Sequence, residues 1–145
     1  SVSPRELFEE LRAHYAERAR ELQLELQLRV NPEWQLQSNY SLLLEFFRQC
    51  LLNAFAISTP GKKIKLRARC RDQKMYLEIE DSGPGLSNLE IEGLLHGDSW
   101  IQHKGFGLKI CREIASLLGA EMYLQSHLEQ GSVFGLSLSC PEPVL

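Results

Sequence analysis

The sequence predicts one α/β domain over residues 1–145, a two-layer sandwich in which helices cover one face of a mixed, mostly antiparallel sheet. Three observations carry this reading. The apolar spacing switches repeatedly between the helical period and strict alternation. Two pairs of alternating segments lie close enough together to be hairpins. No internal repeat, low-complexity tract or linker interrupts the chain. At 145 residues, 43% hydrophobic and 24% charged, the composition is globular and suffices for one core.

The first element is a helix. Ser3 caps it, Pro4 occupies its first turn and Glu6 sits at its positive end, after which Leu7, Phe8, Leu11 and Tyr15 recur on one face. From Leu22 to Val30 the period becomes two, with Leu22, Leu24, Leu26, Leu28 and Val30 alternating with polar residues, so a half-buried strand is expected, ending at Asn31-Pro32. A long helix spans about Tyr40 to Ile57, with Leu43, Phe47, Cys50, Leu51 and Ala54 facing a core; Thr59-Pro60-Gly61 stops it. A hairpin follows, turning near Arg71-Asp72-Gln73. Ile64, Leu66, Ala68 and Cys70 share a face with Met75, Leu77 and Ile79, and Lys63, Lys65, Arg67, Arg69 and Arg71 lie opposite with Tyr76, Glu78 and Glu80. The basic row is read as a water-facing surface on which Glu78 and Glu80 pair with it across the hairpin.

Periodicity is lost from Asp81 to Lys104. A further helix runs from about Gly107 to Leu118 on Ile110, Cys111, Ile114, Leu117 and Leu118, ending at Gly119. Strands at about Glu121 to Ser126 and Ser132 to Ser139 complete the domain, joined by a turn ending at Gly131.

The bulk chemistry excludes several classes. A net charge of −3 gives no electrostatic reason to expect nucleic acid or an anionic membrane as partner. No apolar run is long enough to span a bilayer, and no secretion signal opens the chain. The start at Ser1 reads as a fragment of a longer signalling protein, with any membrane anchor in the missing part and the domain itself cytoplasmic. Cys50, Cys70, Cys111 and Cys140 are far apart, lack zinc spacing and sit in apolar patterns, so they are read as buried, reduced thiols.

Three features carry chemistry. Glu45, Gln49 and Asn53 stand four apart, forming a polar stripe on an apolar helix. Burying such groups unsatisfied costs ~1–3 kcal/mol each, so the stripe faces water, a ligand or a metal. Asp81-Ser82-Gly83-Pro84-Gly85 ends an apolar strand; its carboxylate can accept from an exocyclic amine while the glycines admit a flat ring. Gly105-Phe106-Gly107-Leu108 opens a helix, where backbone N–H groups and the helix dipole suit phosphate. Neither the Rossmann spacing nor a Walker loop is present.

This order of motifs resembles the GHKL ATPase superfamily, with its Bergerat ATP-binding fold, across nearly the whole chain; Gly131-Ser132-Val133-Phe134 and the opening helix and strand are similar to its sensor histidine kinase branch. The resemblance implies ATP and Mg²⁺ as cofactors. Asn53 would hold Mg²⁺, with Gln49 and Asn53 at the catalytic end. Asp81 would take the adenine amine beside Gly83 and Gly85, and Ser132 would add a contact near the base. Residues 86–104 would form the lid, with Lys104, Gly105, Gly107 and Leu108 at the phosphates. The implied activity is transfer of the γ-phosphoryl group to a histidine on adjoining dimerisation helices, and then to a response regulator receiver domain.

The sequence departs from that pattern in four places. Gln49 stands where kinases commonly carry Asn and hydrolysing relatives Glu, and glutamine is no general base. Ala56 replaces a lysine that reaches phosphate. The lid lacks the Phe-x-x-Phe element, leaving Leu94, Leu95 and Trp100 as its apolar anchors. None of His14, His96, His103 or His127 lies in a phosphoacceptor context. Two alternatives therefore stand beside the kinase: a degenerate module acting through protein contacts, and an anti-sigma serine kinase.

Overall fold

The computed structural model describes residues 1–83, 108–127 and 129–140. Helix α1 covers Pro4–Glu21, β1 Glu25–Arg29, α2 Tyr40–Ile57, β2 Lys63–Arg71, β3 Lys74–Asp81, α3 Leu108–Leu118, β4 Glu121–His127 and β5 Gly131–Ser139. The strands form one sheet in the order β1-β2-β3-β5-β4. Only β1–β2 is parallel; the other pairings are antiparallel. The mixed sheet with helices on one face is as the sequence predicts.

Each helix starts where its cap dictates. Ser3 Oγ accepts from the Glu6 N–H at 3.2 Å, and Asn39 Oδ1 accepts from the Leu42 N–H at 3.0 Å. Gly119, at φ +65°, closes α3 as the Ala120 N–H reaches back to the Ala115 carbonyl at 2.9 Å. Phe8 of α1 meets Phe47 of α2 edge-on at 5.2 Å. Phe46, Phe47, Leu51, Ile64, Leu66, Met75, Leu77 and Ile79 are buried in the layer between helices and sheet.

Two local expectations change. The strand expected from Leu22 begins only at Glu25, because α1 runs on to Glu21 and Leu22 caps it with helical dihedrals. Gln23 then turns at φ +58°, and the Leu24 N–H returns to the Ala19 carbonyl at 2.9 Å. The alternating leucines thus start inside a helix end. In α3, Ile110 and Leu117 are not core residues; they are 45% and 75% exposed. They lie two turns apart on the side opposite the buried stripe of Leu108, Cys111, Ile114 and Ala115.

The outer face of the sheet pairs its charges as expected, but it does not simply meet water. Arg67 binds Glu78 and Glu80 at 2.8 and 2.7 Å, and Arg69 binds Glu78 at 2.7 Å. Glu78 is only 1% exposed. In register, Arg67, Glu78, Gly135 and Tyr123 form one row across four strands. A Cβ on Gly135 would stand 2.5 Å from the Tyr123 ring, so glycine there lets the ring cross toward Glu78, whose Oε1 accepts from the Tyr123 hydroxyl at 3.3 Å. Removing one partner of a buried ion pair strands the others. Glu78→Ala should therefore cost about 2 kcal/mol in urea unfolding, whereas Arg71→Ala, whose only ion pair is fully solvated, should cost under about 0.5 kcal/mol.

Candidate functional site

Asp81 ends β3, the middle strand of the sheet, between Ile64 on β2 and Ser132 on β5. Strand alternation turns its side chain to the helix-covered face, where it is 1% exposed. Oδ1 accepts from the Gly83 N–H at 2.8 Å, while Oδ2 has no hydrogen-bond partner among the described residues. Burial pushes the carboxyl up to about 6, against the opposing pull of the Gly83 and Ser132 backbone N–H groups. It is thus ionised at neutral pH with one oxygen unpaired, an arrangement that costs free energy until a donor arrives.

Glycines let the backbone close in around this carboxylate. A Cβ on Gly83 would lie 2.6 Å from the Ile57 carbonyl, so the end of α2 rests directly on the Asp81-Ser82-Gly83 turn. Gly131, at φ +96°, approaches so closely that a Cβ would meet the Asp81 carbonyl at 2.1 Å. Sequence reading missed this contact, taking Gly131 as the end of a turn and as part of the Gly131-Ser132-Val133-Phe134 resemblance; strand pairing places it beside Asp81. Ser132 is 2% exposed, and its hydroxyl shares a hydrogen bond with Ser126 at 2.8 Å.

The polar stripe of α2 divides into two parts. Glu45 is gripped by Arg48 at 2.6 and 2.8 Å and accepts from Gln49 Nε2 at 2.9 Å, and the arginine holds its carboxyl below the usual range. The bond from Gln49 uses one of its two amide hydrogens and anchors the side chain to Glu45. Asn53, one turn on, is 2% exposed, and its Nδ2 has no partner among the described residues. Ala56, on the same helix, is exposed.

Topology brings these groups to one end of the sheet. Helix α2 ends against Gly83, and β4 reaches that end where His127 pairs with Gly131. Helix α3 feeds β4 through a two-residue link, so it begins at that end and runs away from it. The helices touch where Cys111 Sγ, near the buried Cys50, meets the Phe46 carbonyl at 3.7 Å. From this contact, one turn forward along α2 reaches Asn53 and one turn back along α3 reaches Leu108, which is buried. Asn53, Asp81, Gly83, Leu108 and Ser132 therefore share one end of the domain. Gly85, Lys104, Gly105 and Gly107 lie outside the described residues, as does the lid. Of two cavities of about 510 and 580 Å³, the first lies between α1 and β1, away from this end, and the second, beside the β4–β5 turn, is lined by Gly131 and Ser132; neither is lined by Asn53 or Asp81.

The chain belongs to the histidine kinase-, DNA gyrase B- and HSP90-like ATPase family, whose model matches residues 39–142. Its curated relatives are sensor kinases. It is 29% identical over 139 residues to an uncharacterised sensor-like histidine kinase, ycf26, of Porphyra purpurea, covering 78% of this chain and 21% of that protein. It is 30% identical over 93 residues to the adaptive-response sensory kinase SasA of a Synechococcus strain, covering 59% and 25%. The chain thus spans about a quarter or less of the length of these relatives. Among solved structures, the nucleotide-free catalytic domain of histidine kinase ThkA matches with a TM-score of 0.83 at 21% identity, covering 97% of both chains. Full-length ShkA in complex with AMPPNP matches with 0.85 at 19%, covering 99% of this chain and 32% of that one.

The raised Asp81 carboxyl has a consequence for stability. Its folded value, about 6, exceeds the ordinary 3.8, so the folded state holds the proton more tightly, and its stability falls as pH rises from about 4 to about 6 and is level above. Asp81→Asn keeps an acceptor for the Gly83 N–H and removes the buried charge. The variant's Tm should exceed that of the parent by about 5 °C at pH 7, with the difference vanishing near pH 4.

Proposed function

We propose that this domain binds Mg-ATP and positions its γ-phosphoryl group for transfer to a histidine on adjoining dimerisation helices, for onward passage to an aspartate of a response regulator. The observation that carries the reading is the buried Asp81 carboxylate, with one oxygen unpaired among the described residues, at the same end of the domain as the buried Asn53, whose Nδ2 likewise has no described partner. Family membership supports ATP as the ligand. A solved complex of ThkA with the response regulator protein TrrA supports the partner class.

The residues present fit both nucleotide and ion. Asp81 Oδ2 accepts from the exocyclic amine of adenine, which discriminates against a purine bearing a carbonyl at that position. Gly83 and Gly131 let the backbone of α2 and β5 close in on the Asp81 turn, Ser132 lies across from Asp81 in the β3–β5 ladder, and Gly83 would lie beside the ring as the resemblance implies. Among the described residues no cluster of three or more His, Cys, Asp or Glu could hold a metal. As the resemblance implies, Asn53 would hold Mg²⁺ through its side-chain oxygen. When bound, that ion neutralises phosphate charge. Gln49, anchored by Glu45, presents its amide oxygen toward the reacting end, and the first turn of α3 at Leu108 offers backbone N–H groups to phosphate. Gly85, Lys104, Gly105 and Gly107 are assigned to base and phosphate contacts as the resemblance implies. The chain's contribution is positioning and electrostatic stabilisation rather than proton transfer.

No helix among the described residues is long and apolar enough to cross a membrane; we place the domain in the cytoplasm. The exposed Ala56, where kinases carry a phosphate-reaching lysine, favours a second reading, a domain that binds nucleotide weakly and acts through protein contacts.

Calorimetric titration with Mg-ATP separates the two. Binding in the micromolar to sub-millimolar range, lost in Asp81→Ala, is expected; no heat at millimolar nucleotide would sink the kinase reading. Because protonation removes the charge that strengthens acceptance and makes one oxygen a donor, affinity should fall as pH drops below about 6. Transfer of labelled phosphate to histidine in the full-length protein then tests the reaction.

A further inference from the structure

The four cysteines, far apart in sequence, come together as two pairs. Cys50 and Cys111 join α2 to α3 and are both fully buried. Cys70, near the end of β2, and Cys140, the first residue past β5, have sulfurs 3.8 Å apart. All four are free thiols. The β2–β3 turn, with Asp72 and Gln73 at φ +53° and +63°, holds Cys140 in place, since the Cys140 N–H donates to the Gln73 carbonyl at 2.9 Å. Cys70 is half-buried and Cys140 buried, so Cys70 is the more accessible residue of the pair.

We propose that Cys70 and Cys140 form a redox-active dithiol, a modification site that a small disulfide such as oxidised glutathione closes reversibly to an intramolecular disulfide. The sulfurs must approach by about 1.8 Å to reach bonding distance. Cys140 lies one residue past the last ladder pair of β5, Lys74 with Ser139, so the shift can fall on Cys140 and its one bond to the Gln73 carbonyl rather than on Cys70, which is paired with Met75. In the first step the Cys70 thiol loses its proton to water and its sulfur attacks glutathione disulfide. A sulfur–sulfur bond forms to Cys70 as the reagent's own bond breaks, and one glutathione thiolate leaves. In the second, the deprotonated Cys140 sulfur attacks Cys70 and releases the second glutathione. Two protein thiols are oxidised and one disulfide is reduced, with both protons accounted for as the leaving thiols.

Burial and the neighbouring thiol hold Cys70 up at about 11, so the resting pair is protonated and exchange is slow, on the scale of minutes to hours. The fully buried Cys50–Cys111 pair is the internal control, having the same chemistry without access. The ladder from Ile64–Asp81 to Cys70–Met75 sets the dithiol about 20 Å from Asp81, and its test needs no nucleotide. Its outcome is therefore independent of the function proposed above.

The native domain, incubated with excess oxidised glutathione, is followed by intact mass, peptide mapping and Tm. Loss of two hydrogens, a crosslinked peptide joining Cys70 to Cys140 and reversal by dithiothreitol are expected. The oxidised form should melt about 5–10 °C higher, because the crosslink closes a long loop in the unfolded chain. Cys140→Ser should instead retain one glutathione on Cys70. A protein that stays fully reduced, a wild-type glutathione adduct that Cys140 does not displace, or a Cys50–Cys111 crosslink in its place would overturn the assignment.

Discussion

The structure depends on one constraint: a carboxylate held at the end of the sheet's middle strand with only one of its oxygens satisfied. Asp81 is flanked by β2 and β5 and capped by the Gly83 N–H, and no described group pairs with its second oxygen. Leaving a buried charge half-satisfied lowers stability, and the raised carboxyl is the measure of that strain. Such an arrangement persists when the surrounding scaffold over-determines it. Three elements do so here: the ladder on both sides of β3, the end of α2 against Gly83, and the close approach of Gly131.

The helix layer turns that end of the sheet into a site. The Asn39 cap sets the start of α2, and its turn-by-turn spacing carries the sequence Glu45, Gln49, Asn53 toward the Asp81 end. Because Arg48 fastens Glu45 and Glu45 fastens Gln49, the amide of residue 49 has a defined orientation before any ligand arrives. The contact of α3 with α2 through Phe46, Cys50 and Cys111 then sets the start of α3 opposite Asn53. Core packing and site geometry are thus the same contacts seen from two sides, which ties nucleotide-site geometry to core volume.

The outer face shows a different balance. A buried glutamate on the uncovered side of a sheet would be costly alone, yet Arg67, Arg69 and Tyr123 surround Glu78, and Gly135 gives the tyrosine ring its path. The charges there make a polar lid for the sheet rather than a docking row, in keeping with the modest net charge of the chain.

Local patterns were enough to announce the helices and strands, since the spacing of apolar residues and the caps Ser3 and Gly119 act within a few residues of themselves. They also singled out Asn53, Asp81 and Gly83, because polar residues on apolar elements and glycines at strand ends stand out against their own neighbourhoods, whereas Ser132 entered only through the resemblance. The boundary at Leu22 was misread because helix ends and strand starts share leucines, and only the hydrogen bond from Leu24 to Ala19 distinguishes them. Ile110 and Leu117 were misread because a helix with apolar residues on two sides does not say which side meets the sheet. What belonged to the tertiary structure alone was every relation across strands: Gly131 against Asp81, Tyr123 over Gly135, Cys70 beside Cys140. Those distances are set by register and strand order, which arise from long-range pairing, and nothing in the spacing of residues along a chain records which distant residue a strand will lie against.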